Sequence, residues 1–120
     1  MKDIESILKI EPTLSPAGIE SDKTNEQFDE ININEIKSCI KWLRTKIIGK
    51  TMNRNISSYG IKHIIEREYD MYVSNGCFIA AVISLGIPYK KIKQSINIFV
   101  PISNKELYKS DPKYLSRVQD

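Results

Sequence analysis

His63 is the chain's only histidine, and Cys39 and Cys77 are its only cysteines. Three carboxylates, Glu66, Glu68 and Asp70, follow the histidine closely. Nucleophilic catalysis needs a base held beside the nucleophile, and no G-x-S-x-G elbow accompanies His63. Its near neighbours at helical spacing are Tyr59, Glu66 and Arg67, which suits a structural histidine. A metal centre needs three or four ligands from His, Cys, Asp and Glu. One histidine and two separated cysteines fall short of that. Phosphate cradles place several glycines ahead of a helix, whereas YGIKH and SNGCF offer one each. The three carboxylates are interleaved with Lys62 and Arg67 and read as ordinary helix charges. The expectation is therefore no catalytic residue, no metal, no cofactor and no enzyme activity. Both cysteines fall on apolar stripes and are expected as buried reduced thiols.

Binding chemistry is better represented. The first 35 residues carry three Lys against nine Asp or Glu, a net of −6; residues 36 to 120 carry fifteen Lys or Arg against six acids, a net of +9. Such asymmetry suggests an acidic arm on a basic body. Glu20, Asp22, Glu26, Asp29 and Glu30 are the arm's candidates for contacting a partner. Lys37, Lys41 and Arg44 fall within about 60° of one another on a helix. With Lys90, Lys91 and Lys93 they are the candidates for nucleic-acid phosphates. Lys46, Lys50 and Arg54 add to the basic count. Base reading has less support. CFIAAVISL, at the position of a recognition helix, has few polar side chains to reach base edges. Nor are the basic residues interleaved with aromatics as a single-strand platform requires.

The elements that must carry these groups follow from periodicity. DIESILKI spaces Ile4, Ile7 and Leu8 as one helical face, with Asp3 as N-cap and Pro12 beyond the end. Residues 12–30 read as a loop or linker that only Leu14, Ile19 and Phe28 could tether. A longer helix is expected from Asn32, capped by Asn32 with Glu35. Its stripe is Ile36, Cys39, Ile40, Leu43 and Ile47, and Gly49 is its left-handed end. After a polar loop at 50–58, a third helix runs from Tyr59 to about Asp70. It has Ile61, Ile64, Ile65 and Tyr72 on one side. Asn75-Gly76 suits a hairpin, but Phe78, Ile79, Val82, Ile83 and Leu85 have a helical period that Gly86 closes, and the helix is preferred. SINIFV alternates as a strand that must pair with residues 71–73 or with the neighbourhood of Ile87 to Ile92. Tyr108, Tyr114 and Leu115 could dock the polar tail.

The fold class expected is α+β, a small mainly helical domain with a short β element in a winged-helix-like layout. The expected division is an acidic helix and linker arm at 1–35, a core domain at 36–102 and a peripheral tail at 103–120. The chain has 120 residues, enough for one modest core. No run approaches the roughly eighteen apolar residues of a membrane span. MKDIESILKIEP lacks a leader pattern, so a cytoplasmic location is expected.

Ser58-Tyr59-Gly60-x-Lys62-His63-x-x-Glu66, with Tyr72-Val73-Ser74-Asn75-Gly76-x-Phe78-Ile79-x-Ala81, resembles a pattern in small uncharacterised proteins of phages, prophages and plasmids. It spans about a third of the chain, with Asn97-Ile98-Phe99 as a continuation, and leaves residues 1–35 outside. The resemblance implies a mobile-element setting, in which small proteins often act by binding host machinery. The first expectation is thus a non-enzymatic binding protein of phage or plasmid type. It would inhibit a host defence nucleoprotein in the manner of an anti-CRISPR. Its partner would be a host protein or protein–nucleic acid complex, with DNA or RNA contacted directly or not at all. The alternative is a winged-helix-like DNA-binding regulator.

Overall fold

The computed structural model describes residues 1–23 and 26–114. Leu115, named above as a docking point, lies outside them. The described chain is α+β and mainly helical, with two small antiparallel ribbons.

Helix α1 (Ile4–Ile10) starts where expected: the Asp3 carboxylate accepts the Ser6 amide at 2.9 Å. It buries Ile7. Residues 14–19, expected within a linker, instead form a tight hairpin of β1 (Leu14–Ser15) and β2 (Gly18–Ile19), paired Leu14 to Ile19 and Ser15 to Gly18. The reason is local. Ser15 Oγ accepts the Ala17 amide at 3.2 Å, folding Pro16-Ala17 into a turn. Gly18 takes φ +141°, where a side chain would also meet the Ile96 carbonyl. Leu14 and Ile19 are buried and Phe28 packs against the core, the three tethers read from the sequence. The N-terminal segment is therefore part of the core at these points, not an arm standing off it.

Helix α2 (Glu30–Leu43) begins earlier than its expected cap at Asn32. The capping box uses Asp29 instead. Asp29 accepts the Asn32 amide at 2.9 Å, and Asn32 Oδ1 accepts the Asp29 amide at 3.0 Å. Glu35 is thereby left for another task. The helix also ends early, because Thr45 Oγ donates to the Trp42 carbonyl and the chain turns. Ile36, Cys39, Ile40 and Leu43 are buried, but Ile47 is 70% exposed. Gly49 has no left-handed φ; its amide donates to the Pro101 carbonyl at 2.7 Å. Trp42, absent from the expected stripe, is fully buried against Phe78 at 6.4 Å between ring centroids.

Helix α3 (Ser58–Tyr69) buries Ile61, Ile64 and Ile65. Tyr72, expected on that side, is 66% exposed, because Asp70 breaks the helix with a left-handed φ of 49°. Helix α4 (Asn75–Ser84) is buried at every position. It packs against α1, α2, α3 and both strands of the hairpin. Its end is a Schellman motif: Gly86, φ +70°, donates to the Ile83 carbonyl and Ile87 to that of Val82.

Strand β3 (Lys90–Lys91) pairs antiparallel with β4 (Ile98–Phe99), the second of the two partners anticipated. Ile98 and Val100 point inward while Ile96 is partly exposed. Helix α5 (Asn104–Tyr108) buries Leu107 and packs on α3. Helix, helix, turn, helix and ribbon follow in the expected order. The third of these helices, however, is interior on all sides and has no face for a groove of DNA.

Gly76 lies on α4 where it meets the hairpin. Its amide donates to the Pro16 carbonyl at 2.9 Å, and a Cβ there would fall 1.8 Å from the Ser15 carbonyl oxygen. Glycine to alanine inside a helix ordinarily stabilises by up to about 1 kcal/mol; here the clash reverses the sign. Gly76→Ala is expected to lower the melting temperature steeply, alongside Phe78→Ala at about 3–5 kcal/mol. A Gly76→Ala protein as stable as the parent would show that hairpin and helix do not touch.

Candidate functional site

The residues of the SYGxKHxxE and YVSNG pattern gather where α3 turns into α4. Glu66 is at their centre. Its Oε2 accepts the Val73 amide at 3.1 Å and Lys62 Nζ at 3.3 Å, and its Oε1 lies 2.8 Å from His63 Nδ1. Burial pushes the Glu66 carboxyl up, but these three partners together hold it below its ordinary value. Lys62 is buried with its ammonium near two rings, 5.2 Å from that of Tyr59 and 4.7 Å from that of Tyr72. His63 meets the Tyr59 ring edge-on at 4.6 Å. A Cβ on Gly60 would meet the Ile56 side chain at 2.6 Å. The Glu66–Val73 bond and the Lys62–Tyr72 contact close the corner after α3, whereas the Lys62–Glu66, His63–Glu66 and Tyr59–His63 contacts run along the helix itself. The outer surfaces of Tyr59 and Tyr72 remain exposed.

The second half of the pattern holds the start of α4. Glu35, buried in α2, accepts the Ser74 amide at 2.9 Å. Asn75 Nδ2 donates to the Ala17 carbonyl at 3.0 Å and to Asn97 Oδ1 at 2.9 Å. Ser58 Oγ lies 3.4 Å from the same Asn97 oxygen and accepts the Ile98 amide at 3.1 Å. Asn97-Ile98, the suggested continuation, thus joins the first half of the pattern to the second.

The charged candidates sort differently. Lys37, Lys41 and Arg44 are all exposed along the outer side of α2, brought together as expected. Lys41 Nζ sits 5.8 Å from the Tyr69 ring. Lys109 Nζ, paired with Glu106 at 2.8 Å, reaches the Thr45 carbonyl at 3.1 Å. Lys90 and Lys91 form β3, Lys93 follows, and all three are exposed. Lys91 is tied to Glu11 at 3.3 Å, which also accepts the Tyr89 hydroxyl. The two basic sets occupy separate elements. Of the acidic set, Asp29 is a helix cap, which gives it a structural task. Asp22, Glu26 and Glu30 are exposed and Glu20 is half-buried. Glu20 and Lys91 line one shallow cleft of about 360 Å³ with Ile19, Ile92 and Ile96.

Three arrangements were not visible in the sequence. Lys46, counted there among the basic residues, is buried 4.6 Å from the Trp42 ring and 4.0 Å from Glu68. Burial pushes its ammonium down against the pull of Glu68. Trp42 Nε1 donates to that same carboxylate at 3.0 Å. Arg67 grips the fully buried Asp111 with two bonds of 3.0 and 2.7 Å and pins the chain beyond α5 onto α3. Their partners lie 26 and 44 residues apart in sequence, outside the reach of any local pattern. Cys39 and Cys77 are both free and buried; burial raises the Cys39 thiol strongly and pushes that of Cys77 up to about 12. Among the described residues, no three His, Cys, Asp or Glu are grouped to hold a metal ion, and no helix is long and apolar enough to cross a membrane.

Asp111 and Glu66 set an acid limit on stability. The Arg67 guanidinium holds the Asp111 carboxyl below its ordinary 3.8, and Glu66 lies below 4.5. Groups depressed in the folded state stabilise it above their ordinary values, and that contribution is lost as pH falls through the lower folded values. The melting temperature is expected to drop on acidification below about pH 4. In Asp111→Asn it should start lower at neutral pH and fall less on acidification. Parallel curves for the two proteins would remove Asp111 from the account. No family model matches the chain, and no curated protein or solved structure matches it.

Proposed function

We propose that the protein works by binding, as a small module of mobile-element type that docks on a host protein–nucleic acid complex and inhibits it. The observation that carries this reading is the exposed row of Lys37, Lys41 and Arg44 on one rigid helix whose opposite side is locked in the core. A fixed row of cations suits a phosphate backbone or an acidic protein surface. Glu20, Asp22, Glu26 and Glu30 supply the opposite sign within the same domain, for basic surfaces of the same complex. The resemblance to proteins of phages and plasmids favours a host target. Direct reading of duplex DNA by α4, as in a winged-helix regulator, is disfavoured by that helix's burial.

Capture of partners from host lysate, with and without nuclease, tests the proposal. Changing Lys37, Lys41 and Arg44 to Glu shifts the net charge by −6 without touching a buried residue. It should abolish capture and, if duplex phosphates are contacted, flatten the dependence of log affinity on log salt by about 0.9 per lost contact. Neutralising Glu20, Asp22, Glu26 and Glu30, with Asp29 kept because it caps α2, should weaken capture of a protein component that survives nuclease. Undiminished capture and inhibition by both variants would reject the reading.

A further inference from the structure

The two ribbons meet at a shallow cleft of about 360 Å³. One wall is the end of the first ribbon, at Ile19 and Glu20; the other is the turn that joins β3 to β4. The walls are fixed to each other. The Ile19 amide donates to the Ile96 carbonyl at 2.9 Å, and the Ser95 amide closes the turn on the Ile92 carbonyl at 3.1 Å. Gln94, on the cleft, holds a left-handed φ of 59° in that turn. Such a backbone is uncommon outside glycine and recurs at ligand clamps. The cleft is thus preformed, as small binding sites usually are.

Its lining narrows the occupant. Ile19, Ile92 and Ile96 give it an apolar strip, and Ile96 is 39% exposed. Two charged residues line it. Lys91 is already paired with Glu11 at 3.3 Å. Glu20 is half-buried, and among the described residues no donor is bonded to its carboxylate. The cleft therefore keeps one uncommitted negative charge beside the isoleucines. An anion would meet that carboxylate. A wholly apolar group would strip water from it and return no hydrogen bond. A side chain with an apolar stem and a cationic head answers both surfaces. Arginine answers them better than lysine, because its planar guanidinium takes both carboxylate oxygens and is more weakly hydrated than an ammonium.

We propose that this cleft receives an arginine side chain of a partner protein, with its stem on Ile92 and Ile96 and its guanidinium on Glu20. The proposal rests on the binding reading above and gives its acidic side a defined contact, on a basic protein segment.

Titration of the full chain with end-blocked Gly-Arg-Gly, Gly-Lys-Gly and Gly-citrulline-Gly, followed by amide chemical shifts, tests it. Citrulline keeps the shape of arginine without its charge. At millimolar concentration the arginine peptide should shift amides in 19–21 and 91–96. It should bind more tightly than the lysine peptide, and at least about tenfold more tightly than the citrulline peptide. Glu20→Gln should weaken the arginine peptide by at least about tenfold. Ile96→Ser should weaken it as well, and Asp22→Asn should leave it unchanged. No shifts in these residues, equal binding of the citrulline or the lysine peptide, or a response that survives Glu20→Gln would each overturn the proposal. Peptide binding without capture from lysate would reject the host complex and keep the arginine slot. Capture undiminished in Glu20→Gln, with no peptide binding, would reject the slot and keep the host complex.

Discussion

A helix buried on every side leaves the polar groups of its ends without water, and α4 is such a helix. An unpaired amide or carbonyl there costs about 1–3 kcal/mol. The surrounding chain is arranged around that constraint. The carboxylate of Glu35 takes the Ser74 amide, the Pro16 carbonyl takes that of Gly76, and the Asn75 side chain ties the hairpin to Asn97. Only the far end emerges, through Gly86. The three helices and the hairpin packed on α4 supply apolar cover; these few polar residues supply its position. Ser74 and Asn75 are themselves buried polar residues at the start of α4.

The helices were legible in the sequence because they follow local rules. Asp3, the isoleucines of α3 and the period of α4 with its closing glycine all act within one or two turns. The α2 stripe was legible as far as Leu43. What failed were competitions between neighbours. Asp29 outcompeted Asn32 as a cap, since reciprocal bonds formed with Asn32 at the third helical position. Ile47 continued the apolar period on paper, while Thr45 had already turned the chain. The hairpin at 14–19 escaped because two-residue strands have no period to read. Among the candidate residues, the α2 cations lay together because one helix carries them. Lys46 and Asp29 also carry structural tasks: Lys46 packs on an indole and Asp29 accepts a backbone amide, and charge alone distinguishes neither from a solvated neighbour.

Charge in this protein therefore does two separate things. Glu11, Glu35, Glu66, Glu68 and Asp111 are held by named partners and belong to the architecture. The α2 row, with Asp22 and Glu30, lies on the outside. The polar residues of the SYGxKHxxE pattern belong to the first class, since they fasten α3 to α4.

The bonds at Asn75 also fix an order of events. Ala17 stands 58 residues before it and Asn97 another 22 beyond. During synthesis, α1, α2 and α3 leave the ribosome before the chain has supplied Asn97, which steadies the start of α4, or the buried Ile98, Val100 and Ile102 of the core. Contacts so distant in sequence form slowly, and an exposed apolar segment such as CFIAAVISL is prone to association meanwhile. The core cluster is complete only with Ile98, Val100 and Ile102 in place. A product ended between α4 and β4 would be a chaperone client, not a smaller version of this fold.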